Sequence, residues 1–150
     1  PQGDDALATA ISGDGSSMVA LQQWRHDFSA FERLSRDEQD HLVGRRRDDN
    51  EELDDAPASA HVKRTAQESF SPEAFVVRRS MSWTEGQEGG LLFIAFGHSL
   101  RAFEVQMQRM AGLEDGITDG LFRISQPITG DSFWCPPMRA QRIDLSSLGL

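Results

Sequence analysis

At 150 residues and 38% hydrophobic side chains, the chain is long enough for one domain with a real core, and no apolar run approaches the roughly 20 residues of a membrane-spanning helix. A formal net charge of −9 argues against a nucleic-acid partner: phosphate binding needs clustered cations, and the compact run Arg45-Arg46-Arg47 is followed at once by Asp48-Asp49 and Glu51-Glu52. The single cysteine, Cys135, excludes an internal disulfide and a cysteine-based metal cluster, and it suits a reducing compartment.

The opening Pro1-Gln2-Gly3 carries no charged-then-apolar leader, and a chain that begins at proline is expected to be a processed or excised piece. Residues 5–11 form a short helix-like patch, ended by the turn-forming Ser12-Gly13-Asp14-Gly15-Ser16. Met18 to Trp24 alternates loosely and reads as a strand. Phe28, Phe31 and Leu34 step by three along one side of a short helix. Ser35 with Glu38 three residues on is a capping box, starting a second helix that Gly44 stops. Asp48 to Asp55 is an acidic loop without the glycine and glutamate of a calcium loop, so a solvated surface turn is expected.

The stretch Ala74 to Trp83 alternates as a strand, sending Val76, Arg78, Ser80 and Ser82 to one face and Phe75, Val77, Arg79 and Met81 to the other. One face thus carries a cation beside two hydroxyls, and the valines before Arg78 predict that it is buried. After a hairpin-like turn at residues 85–90, Leu91 to Phe96 is apolar throughout and predicts a strand buried on both faces. Ser99 is the expected N-cap of a helix with Leu100, Phe103, Met107 and Met110 on one side and Gly112 at its end. Strand, helix, long connection, strand, strand, helix, strand is a split βαβ order. It predicts an α+β fold, a ferredoxin-like antiparallel sheet with helices packed on one face. Residues 1–137 would form this domain and 138–150 a tail without a trusted motif, free to be disordered.

Several segments resemble the dye-decolourising peroxidase family. Gly15 to Asp27 is similar to the family's "GSSFVxVQKYxHD", Leu34 to Arg47 to "LSVEEQExVIGRxK", Glu52-Leu53-Asp54-Asp55 to "IELDD", the run from Asp115 to Gly130 to "TDxLLxFSxPVTG", and Phe133 to Pro137 to "FFxPP". Ala60-His61-Val62 matches the context of the family's proximal histidine. Seventeen residues later Arg78, with Ser80 two positions on, matches its distal arginine and hydroxyl. The resemblance implies one half of a two-repeat fold that binds haem b. His61 is then the iron ligand, Asp119 the partner of its second ring nitrogen with Asp115 as fallback, and Arg45 the residue that reaches a propionate. Phe93 and Met107 would lie against the porphyrin. His26, His41 and His98 read as surface or packing residues.

The resemblance also implies the chemistry. Haem iron takes one axial nitrogen and keeps the other site open. A carboxylate on the ligand's second nitrogen makes the imidazole more electron-donating. Arg78 would stabilise the charge that develops as hydrogen peroxide is cleaved, Ser80 would orient peroxide or water, and reducing substrates would be oxidised one electron at a time in ping-pong turnover. Trp83 and Trp134 would relay electrons to bulky donors or serve as core. The family's distal aspartate motif, "GxxDGTxNP", is absent from the sequence, so the expected partners include an N-terminal segment of the same protein. A symmetric homo-oligomer and a bacterial cytoplasmic location are also expected. The ending Leu145 to Leu150 resembles tails that load such enzymes into encapsulin shells.

Overall fold

In the computed structural model, which describes residues 3–150, the strand Ser17–His26 (β1) lies at the centre of a four-stranded sheet. Val77–Glu85 (β2), Glu88–Gly97 (β3) and Ser125–Cys135 (β4) complete it in the order β2-β3-β1-β4, with every neighbour antiparallel. This is the ferredoxin-like arrangement that the element order predicts. Its helices are Asp4–Ala10 (α1), Phe28–Glu32 (α2), Arg36–Val43 (α3), the single turn His61–Arg64 (α4) and Arg101–Met110 (α5). None of the helices among the described residues is long and apolar enough to cross a membrane.

The register explains where the core sits. Ala20 pairs with Ala95, and Ala95 with Arg78, so two methyl side chains face α5 at the middle of the sheet. Ala20 is 1% and Ala95 2% exposed, and Phe93, Leu100, Ala102 and Phe103 close over them together with the buried Val76. Small residues there let the helix approach the backbone closely enough to exclude water. Leu92, Ile94 and Phe96 point to the opposite face and remain only half-buried, beside exposed Met81 and Phe133. The expectation that β3 is buried on both faces is therefore corrected: an apolar run supplies both faces of a strand, but α5 covers one.

Local chemistry sets the ends. Ser35 and Glu38 form the reciprocal capping box of α3, and Gly44 ends that helix in the left-handed conformation at φ 90°. Gly86, at φ 60°, opens the two-residue turn between the paired Glu85 and Glu88. The cap of α5 is Leu100 and not Ser99, which stands one residue too early for its oxygen to serve the first turn. The acidic loop after Gly44 is exposed apart from Leu53, and its carboxylates answer two arginines of the run and one of α3: Arg46 with Asp49 at 2.9 Å, Arg45 with Glu52, and Arg36 with Asp48. The tail is ordered: Met138–Arg139 (β5) pairs with Arg142–Ile143 (β6) around Ala140 and Gln141, both at positive φ. Arg139 meets Asp144 at 2.7 Å.

Gly44 also packs against the start of α4, where a Cβ would run into Val62 Cγ2 and crowd Ala60, the residue before His61. Gly44→Ala is expected to lower unfolding stability by about 2–4 kcal/mol, combining left-handed strain with overpacking. Ser35→Ala should lose only about 1 kcal/mol; denaturant midpoints of the two variants check the order.

Candidate functional site

His61 opens α4, and a helix of four residues needs outside support to persist. Thr65 supplies part of it, donating both its backbone N–H (3.0 Å) and its hydroxyl (2.8 Å) to the His61 carbonyl. Gly120 donates to the Ser59 carbonyl at 2.7 Å, which fastens the start of the helix to the chain's next critical residue, Asp119.

Asp119 is 1% exposed, a burial that an ionised carboxylate tolerates only with partners for its oxygens. It has them. Oδ1 accepts from the Leu121 backbone at 2.8 Å, capping the 3-10 turn Gly120–Arg123, and Oδ2 lies 2.8 Å from His61 Nδ1. A carboxylate oxygen accepts, so Nδ1 donates, and the lone pair of the neutral ring is left on Nε2. The half-buried His61 therefore offers a nitrogen donor of fixed tautomer.

His61 lines a cleft of about 320 Å³ together with Arg45, Glu68, Phe75 and Arg78. Arg45 donates to the Asn50 carbonyl at 2.8 Å and pairs with Glu52. Arg78 is exposed, against the expectation of burial, because its side chain lines an open cleft, whatever the burial of the valine two residues before it. Surrounding protein nevertheless strips enough water from its guanidinium to push its pKa below the ordinary arginine value. Repulsion from Arg45 adds to the effect, and Glu68 opposes it. A smaller apolar pocket adjoins, lined by Trp24, Phe93, Phe103, Met107 and Met110, and it meets the cleft at Thr65 and Arg78.

The structure thus brings His61, Asp119, Arg45 and Arg78 together and sets Phe93 and Met107 beside them. Ser80 shares the sheet face of Arg78 through its pairing with Phe93, but it is exposed and lines neither cavity. Arg79 is exposed on the opposite face. Trp83 is half-buried and donates to the Trp24 carbonyl at 3.0 Å, and Trp134 is half-buried on β4. His26 bonds Ser125 at 2.7 Å, and burial lowers its pKa. His41 lies near Asp55, and His98 is exposed. Thr65, inside the His-Val-Lys-Arg-Thr run, is a functional position that sequence reasoning passed over, although its place four residues after His61 on one helical face was a signal. Gln67 and Gln106 were also missed. Both are buried, Gln67 accepting from the Val76 amide and Gln106 donating to the Ala74 carbonyl, each at 2.8 Å, so they fix the entry to β2. A lone glutamine carries no such signal in a sequence.

Asp115 lies away from His61 and faces Arg64, whose hydrogen bonds hold its carboxyl down to about 2. A depressed folded-state pKa gives stability that is present above the unfolded value of about 4 and lost as pH falls toward 2. Asp115→Asn should flatten the acid limb of the stability profile across that window, as measured by denaturation at stepped pH.

Known proteins resemble this chain over most of its length. The family model described as "Dyp-type peroxidase, C-terminal" matches residues 3–140. A dye-decolorizing peroxidase of Mycolicibacterium paratuberculosis is 33% identical over 148 residues, covering 91% of this chain and 42% of the relative. Among solved structures, a dye-decolorizing protein from V. cholerae superposes with a TM-score of 0.80 at 33% identity, over 91% of this chain and 48% of that one. A Rhodococcus jostii DypB variant in complex with heme gives 0.82 at 31% identity, with the same two coverages. The chain spans about half the length of the relatives it matches.

Proposed function

Because the chain belongs to the Dyp-type peroxidase family, as its C-terminal part, we propose that it is the haem-binding half of a peroxidase that uses hydrogen peroxide to oxidise dyes and other one-electron donors. The observation that carries this reading is the buried Asp119 carboxylate 2.8 Å from His61 Nδ1, which leaves Nε2 free as a metal donor beside a cleft.

The residues present fit a haem b group. His61 would hold the iron, Arg45 a propionate, and Phe93 and Met107 the porphyrin face. Two arginines facing one cleft repel each other, and an anionic edge bound between them would relieve that repulsion. When bound, the group supplies the redox chemistry with peroxide and with the electron donor. Asp119, by accepting from Nδ1, makes His61 a stronger electron donor. Arg78, carried on a strand that fixes its direction, would donate to the oxygen on which charge develops as peroxide is cleaved, a contribution of about 2.7–4 kcal/mol for such a donor. Ser80, on the same face of β2 two residues further on, would be the hydroxyl that orients peroxide or water.

A second reading is favoured by the coverage of only about half of each relative and by the missing "GxxDGTxNP" motif. In it the chain binds haem but needs a preceding segment of the same protein for activity. Peroxidase assays with and without that segment separate the two.

The purified protein is expected to show a Soret band that His61→Ala abolishes; an unchanged spectrum in that variant would refute the ligand assignment. Arg78→Leu is expected to retain haem while its reaction with peroxide slows about 10²–10³-fold in stopped-flow, and wild-type kinetics would remove Arg78 from the mechanism.

A further inference from the structure

One buried cation lies outside the cleft. Arg64 closes α4 three residues after His61 and is 5% exposed, a place where a guanidinium is tolerated only when paired and hydrogen-bonded. It donates from Nη1 to Asp115 Oδ2 at 2.7 Å, and from Nη2 to Asp115 Oδ1 at 2.8 Å and to the Arg109 carbonyl at 2.6 Å. Its Nε is buried without a partner. An apolar side chain would fill this volume without that desolvation cost, so the pair needs an explanation beyond stability.

Topology supplies one. The fork reaches 51 residues along the chain, from the helix that carries His61 to the loop that leaves α5 and ends on Asp119. That loop has two glycines at positive φ, Gly112 and Gly116, and it is held at its far end by the Asp119 amide donating to the Met110 carbonyl at 2.8 Å. Asp115 grips its middle and also accepts from the Ile117 amide at 2.9 Å. Arg109 braces the same place from α5, lying 3.3 Å over the Phe70 ring and pairing with Glu114 at 2.6 Å. The two members of the His61–Asp119 pair therefore hang from elements that Arg64 joins.

We infer that Arg64 is a positioning residue: its bidentate clasp on Asp115 holds the loop so that the Asp119 carboxylate stays at hydrogen-bond distance from His61 Nδ1, and through that bond it tunes the metal-binding imidazole. The inference rests on His61 being the iron ligand.

The test uses the purified haem-loaded protein. Arg64→Met keeps the stem and removes the donors; Asp115→Asn keeps the shape and removes the charge. In both, the ferrous iron–histidine stretching band is expected to move to lower frequency and the ferric/ferrous midpoint potential to rise, in the direction given by Asp119→Asn, with haem affinity falling about tenfold. Arg64→Lys should recover part of the shift. A folded Arg64→Met protein with wild-type band and potential would overturn the inference, and if that variant does not fold, Asp115→Asn decides it by the same two readouts. His61→Ala separates the premises: loss of the haem spectrum there with wild-type behaviour in the clasp variants defeats the clasp alone, whereas a retained spectrum defeats the ligand assignment and the clasp with it.

Discussion

The hydrogen bond between the buried Asp119 carboxylate and His61 Nδ1 constrains everything around it. A carboxylate with 1% exposure cannot be left with an idle oxygen, and here one oxygen caps a 3-10 turn while the other fixes a ring tautomer. Each half of that arrangement needs the other. Without the cap, Asp119 could rotate away from the histidine; without the histidine, a buried charge would stand half-satisfied. The connections 44–60 and 111–119, which look like spacers, serve to bring residues 58 positions apart to 2.8 Å.

The sheet contributes the opposite wall. β2 is an edge strand and can turn Arg78 toward the helix side only because Val76 is buried first, its amide taken by Gln67. Arg78 pairs with Ala95, which in turn pairs with Ala20, so it leaves the sheet on the face where two small residues let α5 come near. Replacing either alanine by a larger residue would lift α5 and widen the apolar pocket at Met107 and Met110, so core packing and cleft shape are one property here.

Much of this was legible in the chain. The Ser35–Glu38 box, the stop at Gly44, the turn at Gly86 and the period-two faces of β2 are local signals, written in residues whose conformational preferences act within four positions. What was not legible depends on distant partners. The exposure of Arg78 is set by what stands across from it, and valines upstream do not report that. Half-burial of Leu92, Ile94 and Phe96 follows from α5 covering a single face. Asp115 was a reasonable second choice for the histidine's partner, being four residues from Asp119 in the same turn-rich loop, but Arg64 claims it. The tail hairpin uses Ala140 and Gln141 at positive φ, where the sequence lacks the Asn-Gly or Asp-Gly that would announce such a turn.

Electrostatics ties the site to the composition. A chain of net charge −9 sets two arginines, two glutamates and a histidine around one cleft. Arg46 and Arg36 face the acidic loop and are paired there, so the arginine run is divided between neutralising that loop and serving the cleft through Arg45. Glu52 holds Arg45 at the rim, and Glu68 offsets part of the repulsion that Arg78 feels from it. Burial of the Arg78 guanidinium, and after it the nearness of Arg45, hold Arg78 below its ordinary affinity for a proton. The cleft thus sets two guanidiniums beside two carboxylates in a partly dehydrated place, where the attraction of either cation for an anionic group is stronger than the same charge would give in open water.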